Sequence, residues 1–361
     1  MLFLSNRKFL NFLLAKKSTY WSVAQRNDSH NSEFFMLQIS TIWGILYIYV
    51  RLQERVIKVI EFKHISIEDK ETIKKYLFDG NERGCEYSFA NLYMWGRQRW
   101  AEVEGHLVLF SQYDRKSVYP FPVGAGDKKA VLDALINDSC ERGITCRFTG
   151  LTSREREILE KFYPNEFHIK CDRGSWDYVY DINDLAELRG RKFHSKKNKY
   201  NQFINACPDY RVEEINKGNM QKIKEMVDTW YRDKLIDNPD SDFEMEKAAI
   251  KKGFEHFFEL DMDGIAVFRG DEVLAMTMGS FTSENTIDVH FEKARTEIDG
   301  TYAAINCEFA RYLREKYPQL EYLNREEDMG IEGLRKAKTS YRPHHMVEKC
   351  WARKAEDGYE Y

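Results

Sequence analysis

The sequence predicts an α/β (α+β) chain built from one unit used twice, and three observations carry that expectation. An order of antiparallel strands, then helix, strand, helix and strand, runs twice after residue 58. Apolar residues alternate in the strand segments and recur every three to four positions in the helical ones. Hydrophobic residues make up 43% of the chain and charged residues 32%, which allows real cores and excludes a disordered polymer. A length of 361 residues suggests about two domains.

In the first copy, "WAEVEGHLVLFSQY" reads as a hairpin turning at Glu104-Gly105. "DKKAVLDALINDSCERG" places Val131, Leu132 and Leu135 on one helical face and ends at Gly143. "ITCRFTG" is a strand, "SREREILEKFY" a helix opened by Ser153, and "FHIKCDRGSWDYVYDI" further strand material. In the second copy, "GIAVFRGDEVLAMTMGSF" is a hairpin turning at Gly270-Asp271 and "TIDVHFEKA" an alternating strand. "YAAINCEFARYLREKYP" carries Ile305, Phe309 and Leu313 at helical spacing and stops before Pro318. "LEYLNREED" reads as a strand and "IEGLRKAKTSY" as a helix, with the boundary between copies near residues 170–176.

Residues 34–50 are uncharged, at the short limit for a membrane span, and Arg51, Arg55 and Lys58 follow them. The blander reading is that translation begins near Val59, so residues 1–58 are set apart as an N-terminal extension. The seven cysteines show no CxxC or Cys/His pairing, which predicts reduced cytosolic thiols and no metal site. A formal net charge of −4 argues against generic coating of nucleic acid, while leaving room for a local basic patch.

Three constellations have the residue types for chemistry. Strand alternation puts Ile287, Val289 and Phe291 on one face and Asp288, His290 and Glu292 on the other. That polar face suits a pocket wall, and equally the solvent side of a sheet. In "NREEDMGIEGLRKAKTSY" three acids end a strand and Gly330 permits a turn into a helix whose N-terminus favours an anion. Asp328 or Glu326 could accept a proton there, with Arg335 and Lys338 holding an anion. A charged surface turn would look the same. In "RGRKFHSKKNKYNQF", Arg189, Arg191, Lys192, Lys196, Lys197 and Lys199 put six cations in eleven residues without an acid. Such a run suits phosphates, or is a solvated helix face. No GxxxxGK[ST], HExxH or GxSxG motif is present. The two glycines of "PVGAG" read as a tight turn, and the aromatics of "EYSFANLYMW" as core.

"EYSFANLYMW", "GRKFHSKKNKYNQF", "DVHFEKA", "GTYAAINCEFARYL" and "NREEDMGIEGLRKAKTSY" together resemble the C-terminal catalytic domain family of lysylphosphatidylglycerol synthase, in its soluble bacterial members, over roughly residues 59–350. The resemblance implies two tandem GNAT-like acyltransferase folds, each a mixed sheet flanked by helices, at 59–173 and 174–353, with 354–361 a tail. It implies transfer of an aminoacyl group from aminoacyl-tRNA to a hydroxyl or amine of a lipid, peptide or small molecule. His290, Glu292, Glu326 and Asp328 would then be catalytic, and Asn306, Asn324, Arg325, Arg335, Lys338 and Tyr341 would bind substrate. The 189–199 run would engage tRNA. The synthases have a multi-span membrane region, whereas this chain has at most one short span, which weakens the case for a lipid acceptor and for membrane association. The expected placement is cytoplasmic or membrane-peripheral.

No separate cofactor is expected with aminoacyl-tRNA as donor. Acetyl-coenzyme A is the alternative donor, for an N-acetyltransferase, although the junction "EKARTEIDGTYAAIN" has the single Gly300 in place of a glycine-rich pyrophosphate loop. A binding protein without catalysis is the third reading. If residues 1–58 are dispensable, a chain beginning at Val59 stays soluble and melts in one cooperative step by circular dichroism. Aggregation of the shortened chain alone would overturn the reading of the start.

Overall fold

A computed structural model describes residues 59–78, 84–113, 116–237, 239 and 242–355. The readings of residues 1–58, as extension or anchor, lie outside the described residues, as does most of the 354–361 tail. Among the described residues, no helix is long and apolar enough to cross a membrane.

Along the chain come β1 (Lys63–His64), α1 (Lys70–Leu77), α2 (Phe89–Trp95), β2 (Gln98–Val103), β3 (His106–Tyr113), β4 (Lys116–Pro120) and β5 (Val123–Gly124). α3 (Lys128–Glu141), β6 (Arg147–Leu151), α4 (Ser153–Phe162) and β7 (Phe167–Cys171) follow. Next are β8 (Asp177–Asp181), α5 (Ile182–Glu187), α6 (His194–Ala206), β9 (Arg211–Glu214), α7 (Met220–Asp237) and α8 (Glu244–Glu255). The last part holds β10 (Asp263–Arg269), β11 (Glu272–Ser283), β12 (Thr286–Ala294), α9 (Thr301–Lys316), β13 (Tyr322–Asn324), α10 (Glu332–Thr339), β14 (His345–Val347) and β15 (Cys350–Lys354).

Local chemistry explains the ends. Asp127 caps α3 by accepting from the Lys129 and Ala130 amides, and Ser88 caps α2 through the Asn91 amide. Thr152, rather than the expected Ser153, opens α4, in a capping box with Glu155. At the start of α9 a Cβ on Gly300 would lie 2.0 Å from the Lys199 carbonyl, so only glycine lets α6 approach there.

The strands form two mixed sheets with matching layouts. One runs β1-β2-β3-β4-β6-β15-β7, with β5 beside β3, and the other runs β9-β10-β11-β12-β13-β8-β14. In each, antiparallel strands lead to one parallel step, β4 to β6 and β12 to β13, and the crossover contains a helix, α3 or α9. These are the two tandem GNAT-like units of the expected fold. The sixth position of the first sheet is taken by a strand from the other half: β15 ends the second copy and lies between β6 and β7. In the second sheet the same position is held by β8, the first strand of the second copy, between β13 and β14. A cut at 173/174 therefore separates the first sheet from one of its central strands, and Val59–Tyr361 is one compact unit.

The crossing of β15 corrects the cysteine reading. Register places Cys350 opposite Cys171 on β15 and β7, and the two are joined as a disulfide. They are 179 residues apart, so spacing could not reveal the pair. The other five cysteines are free.

Three apolar cores hold the layers. Phe148, Leu132, Leu135 and Leu159 pack α3 and α4 against the first sheet. Phe309, Leu313, Phe203 and Leu185 pack α9, α6 and α5 against one face of the second. Between the sheets, Leu92, Met94, Ile223, Tyr231 and Phe254 join α2, α7 and α8 to Leu109, Phe268 and Met278. The aromatics of "EYSFANLYMW" are core or pack against it, as expected.

Removing β15 by ending the chain at Glu348 leaves β6 and β7 without their shared partner. Such a chain should lose cooperative unfolding, or melt far below the intact protein, in a thermal scan. An unchanged transition would mean that the crossing strand is dispensable.

Candidate active site

Parallel strands β12 and β13 pair only at Thr286–Tyr322, Ile287–Leu323 and Asp288–Asn324. Beyond those pairs β12 continues to Ala294, while Arg325 and Glu326 follow β8: the Arg325 amide donates to the Tyr178 carbonyl at 2.9 Å, and the Tyr178 amide to the Glu326 carbonyl at 3.2 Å. The strands thus diverge just past Asp288, and polar side chains gather at that opening.

A bulge reorganises the face predicted from alternation. On β11, Gly279 opposes Val289 and Met278 opposes Phe291, so His290 is the extra residue. A Cβ at Gly279 would lie 2.3 Å from the Asp288 carbonyl, so the close approach demands glycine. The bulge shifts the period, and Ile287 and Val289 join the core with α9, whereas Phe291 joins the core between the sheets. Asp288 and His290 stay together, but Glu292 is carried to the α9 side, where it meets Arg325 and Asn306. The expectation that Phe291 shares a face with Ile287 and Val289, and Glu292 with Asp288, is corrected on this ground.

On the side facing the first unit, the His290 and Asp288 side chains are wholly buried, with Nδ1 to Oδ2 at 3.3 Å. His290 Nδ1 also lies 3.7 Å from Glu326 Oε1, and Nε2 pairs with Ser280 Oγ at 2.8 Å. Asn91 Nδ2 reaches Glu326 Oε1 at 3.4 Å. Glu326 has φ of 57°, a left-handed conformation uncommon outside glycine and asparagine, and its amide donates to Asn324 Oδ1 at 2.8 Å. Burial, then the neighbouring Asp288 charge, pushes the Glu326 carboxyl up to about 7. Burial alone would lower His290, but Asp288 and Glu326 outweigh it and raise the imidazole to about 9. Burial likewise raises Asp288.

β8 and the crossing strand β15 supply the next layer. Asp177, at the start of β8 and fully buried, accepts from the Cys85 amide at 2.7 Å and from Asn324 Nδ2 at 3.1 Å. Lys349, just before β15, meets Asp177 at 2.8 Å, Glu86 at 2.9 Å and Glu327 at 3.4 Å. Burial and Asp177 hold the Cys85 thiol well above its ordinary range, so it is no nucleophile. Cys85, Asp288 and Glu326 present ligand-type atoms within 4.8 Å of one another. Sequence reasoning missed Asp177, Lys349, Cys85 and Asn91; of these Asn91 alone lies in a segment that stood out, "EYSFANLYMW", for its aromatics.

On the α9 side, Arg325 Nη2 donates to Glu292 Oε1 at 2.8 Å, and Asn306 Nδ2 lies 3.5 Å from Glu292 Oε2. Lys196 is 4.1 Å above the Tyr341 ring, with Arg325 5.1 Å from the same centroid.

Two expected roles are corrected. Asp328 is fully buried and bound: Arg335 donates to both its oxygens at 2.8 and 3.0 Å, Tyr178 donates at 2.6 Å and the Gly330 amide at 2.9 Å. The Arg335 hydrogen bonds lead in holding its carboxyl far below the usual range, so it is a poor proton acceptor and Arg335 is already neutralised. Lys338 donates to the Arg325 and Glu327 carbonyls, shaping the loop rather than presenting a free cation. The basic run divides as well. Arg189, Lys192 and Lys199 pair with Glu187, Asp184 and Asp299, Lys196 turns inward, and Lys197 packs 5.1 Å from the Tyr200 ring. Arg191 is exposed.

The family model described as "Phosphatidylglycerol lysyltransferase, C-terminal" matches residues 79–353. A conserved Bacteroides thetaiotaomicron protein of unknown function is 36% identical, with a TM-score of 0.78 over 82% of this chain and all of that one. L-PGS from Bacillus licheniformis is 14% identical, with a TM-score of 0.58 over 79% of this chain and 92% of that one, a likeness of fold. An uncharacterised Mycoplasmoides gallisepticum protein is 22% identical over 204 residues, 55% of this chain and 62% of its own length, so the match spans less than two thirds of that relative.

Asp328→Asn should lower the melting temperature by roughly 5–10 °C at pH 7, because it breaks a buried ion pair. Since the folded-state carboxyl is depressed, this contribution is complete above about pH 4 and is lost as pH falls through the acid range. Thermal unfolding of both proteins at pH 7 and pH 3 checks it, and equal melting at pH 7 would contradict the assigned role.

Proposed function

The chain belongs to the phosphatidylglycerol lysyltransferase C-terminal family, and from that premise we propose that it is an acyl-type transferase that moves an aminoacyl group from aminoacyl-tRNA to an amine or hydroxyl acceptor. The observation that carries this reading is the buried Glu326–His290–Asp288 cluster beside the opening between β12 and β13. Transfer needs a base for the acceptor's proton and positive charge near the developing oxyanion. Glu326, pushed up to about 7, has a base strength matched to neutral pH. His290, raised to about 9, is protonated there and supplies the fixed cation, oriented by Ser280 and Asp288.

In the proposed reaction the acceptor attacks the ester carbonyl carbon and its proton passes to Glu326. The new bond to the acyl carbon forms, the bond to the tRNA ribose oxygen breaks, and that oxygen leaves with the proton. Within the 189–199 run the exposed Arg191, and Lys197 on the Tyr200 ring, support a tRNA partner. Acetyl-coenzyme A, the alternative donor, would call on the amides at the start of α9, where the Lys199 carbonyl packs against Gly300.

Deacylation of a panel of labelled aminoacyl-tRNAs, with and without an amine acceptor, tests it. The rate should rise with pH through about 7 as Glu326 ionises and fall above about 9 as His290 loses its proton. Glu326→Gln should cost about 10²–10⁴ in rate while leaving tRNA affinity unchanged. No acceleration with any aminoacyl-tRNA, together with stabilisation by acetyl-coenzyme A, would overturn the proposal.

A further inference from the structure

The α9 side of the same opening has an electrostatic deficit that the proton-handling cluster does not use. Arg325 and Lys196 both stack on the Tyr341 ring, and Glu292 is the acid that acts on both. Two cations against one carboxylate leave one positive charge uncompensated in a region where Arg325's side chain is only 14% exposed. Burial, then repulsion from Arg325, lowers Lys196 to about 8, the behaviour of an ammonium held without an anion of its own.

Hydrogen bonding is incomplete in the same place. Arg325 spends Nη2 on Glu292, but its Nη1 is buried and has no partner. Asn306 is 3% exposed and uses Nδ2 toward Glu292, while its Oδ1 is buried and also unpartnered. Leaving such groups unmatched in a folded core is costly, and a ligand that matches them recovers that cost. The missing partner must bring an anionic oxygen for Arg325 and Lys196, and a hydrogen-bond donor for Asn306.

We propose that Lys196, Arg325 and Asn306 form a subsite for a phosphorylated ribose, with the phosphate on the two cations and a ribose hydroxyl donating to Asn306 Oδ1. Glu292 acts as a positioning residue, holding one edge of the guanidinium so that the other faces the ligand. The choice of a phosphate over a carboxylate follows from the surroundings. Lys196 lies on α6 next to Lys197 and near Arg191, so the positive field continues outward from the subsite along one segment, as a chain of phosphates requires. The inference rests on the transferase reading only in naming one source, the terminal nucleotide of tRNA; a free nucleotide is the other.

The test is calorimetric titration of the intact protein with 5′-AMP, adenosine, inorganic phosphate and deacylated tRNA. 5′-AMP should bind more tightly than adenosine or phosphate alone. Lys196→Met keeps the aliphatic stem on Tyr341 and removes the charge, and should weaken 5′-AMP by about tenfold with the melting temperature preserved. Arg325→Lys, which keeps the charge but loses the fork, should weaken it as well. An equal loss of tRNA affinity in Lys196→Met identifies the tRNA terminus as the source, and an unaltered tRNA affinity identifies a free nucleotide. The subsite is wrong if 5′-AMP fails to bind or binds Lys196→Met as it binds the parent. Because no acyl transfer is read, transfer can fail while the subsite stands, and the reverse result separates the two just as cleanly.

Discussion

β8, the first strand of the second half, is hydrogen-bonded on both edges by the last two strands of its sheet, β13 and β14. That double pairing is the constraint on which the remaining architecture depends. It delivers Asp177 to the Cys85 amide and Asn324, and Tyr178 to the backbone of Arg325 and Glu326 as well as to the Asp328 carboxylate. β15 crosses to the first sheet, and the residue just before it, Lys349, neutralises Asp177 from the other side. The second half of the chain therefore completes the first sheet, and the opening between β12 and β13 is closed by Cys85 and Asn91 of the first half as well as by β8.

The acids at this opening are individually unfavourable. Asp288 is buried without a hydrogen-bond donor, and its compensation is the adjacent imidazole. Glu326 is held in a left-handed backbone conformation by the Asn324 and Tyr178 contacts. Such strain persists only where surrounding structure over-determines it, and here β8 and the Asp328–Arg335 pair do so. Asp328 is thus the rivet of the loop, while Glu326 is the carboxylate that the proposal makes the base. Two carboxylates two residues apart have opposite pKa shifts because one is bound by a guanidinium and the other is desolvated beside a second acid.

Much of this was legible in the sequence. The duplicated order of elements, both hairpins with their turns, and the helices stopped at Gly143 and before Pro318 depend on local chemistry, which periodicity and turn residues report. His290 was legible as a candidate on the polar face of an alternating strand and Glu326 at the end of the next, whereas Arg325 and Asn306 came only with the family resemblance. What stayed hidden depends on distant partners. Nothing near Cys171 announces Cys350, and nothing near Asp177 announces Lys349. The bulge at His290 breaks the period-two rule at the one strand where it mattered. Asp328 and Lys196 looked like solvent-facing charges because a run of like residues carries no record of which member turns inward.

The pairing of β8 between β13 and β14, and the crossing of β15 into the first sheet, make fold and site a single cooperative unit. Native-state hydrogen exchange in increasing denaturant, read at the amides of β8, β13 and β15, tests it most directly. The account predicts that the three strands open together, at the free energy of global unfolding. Release of β15 at lower free energy, with β8 and β13 still protected, would contradict it.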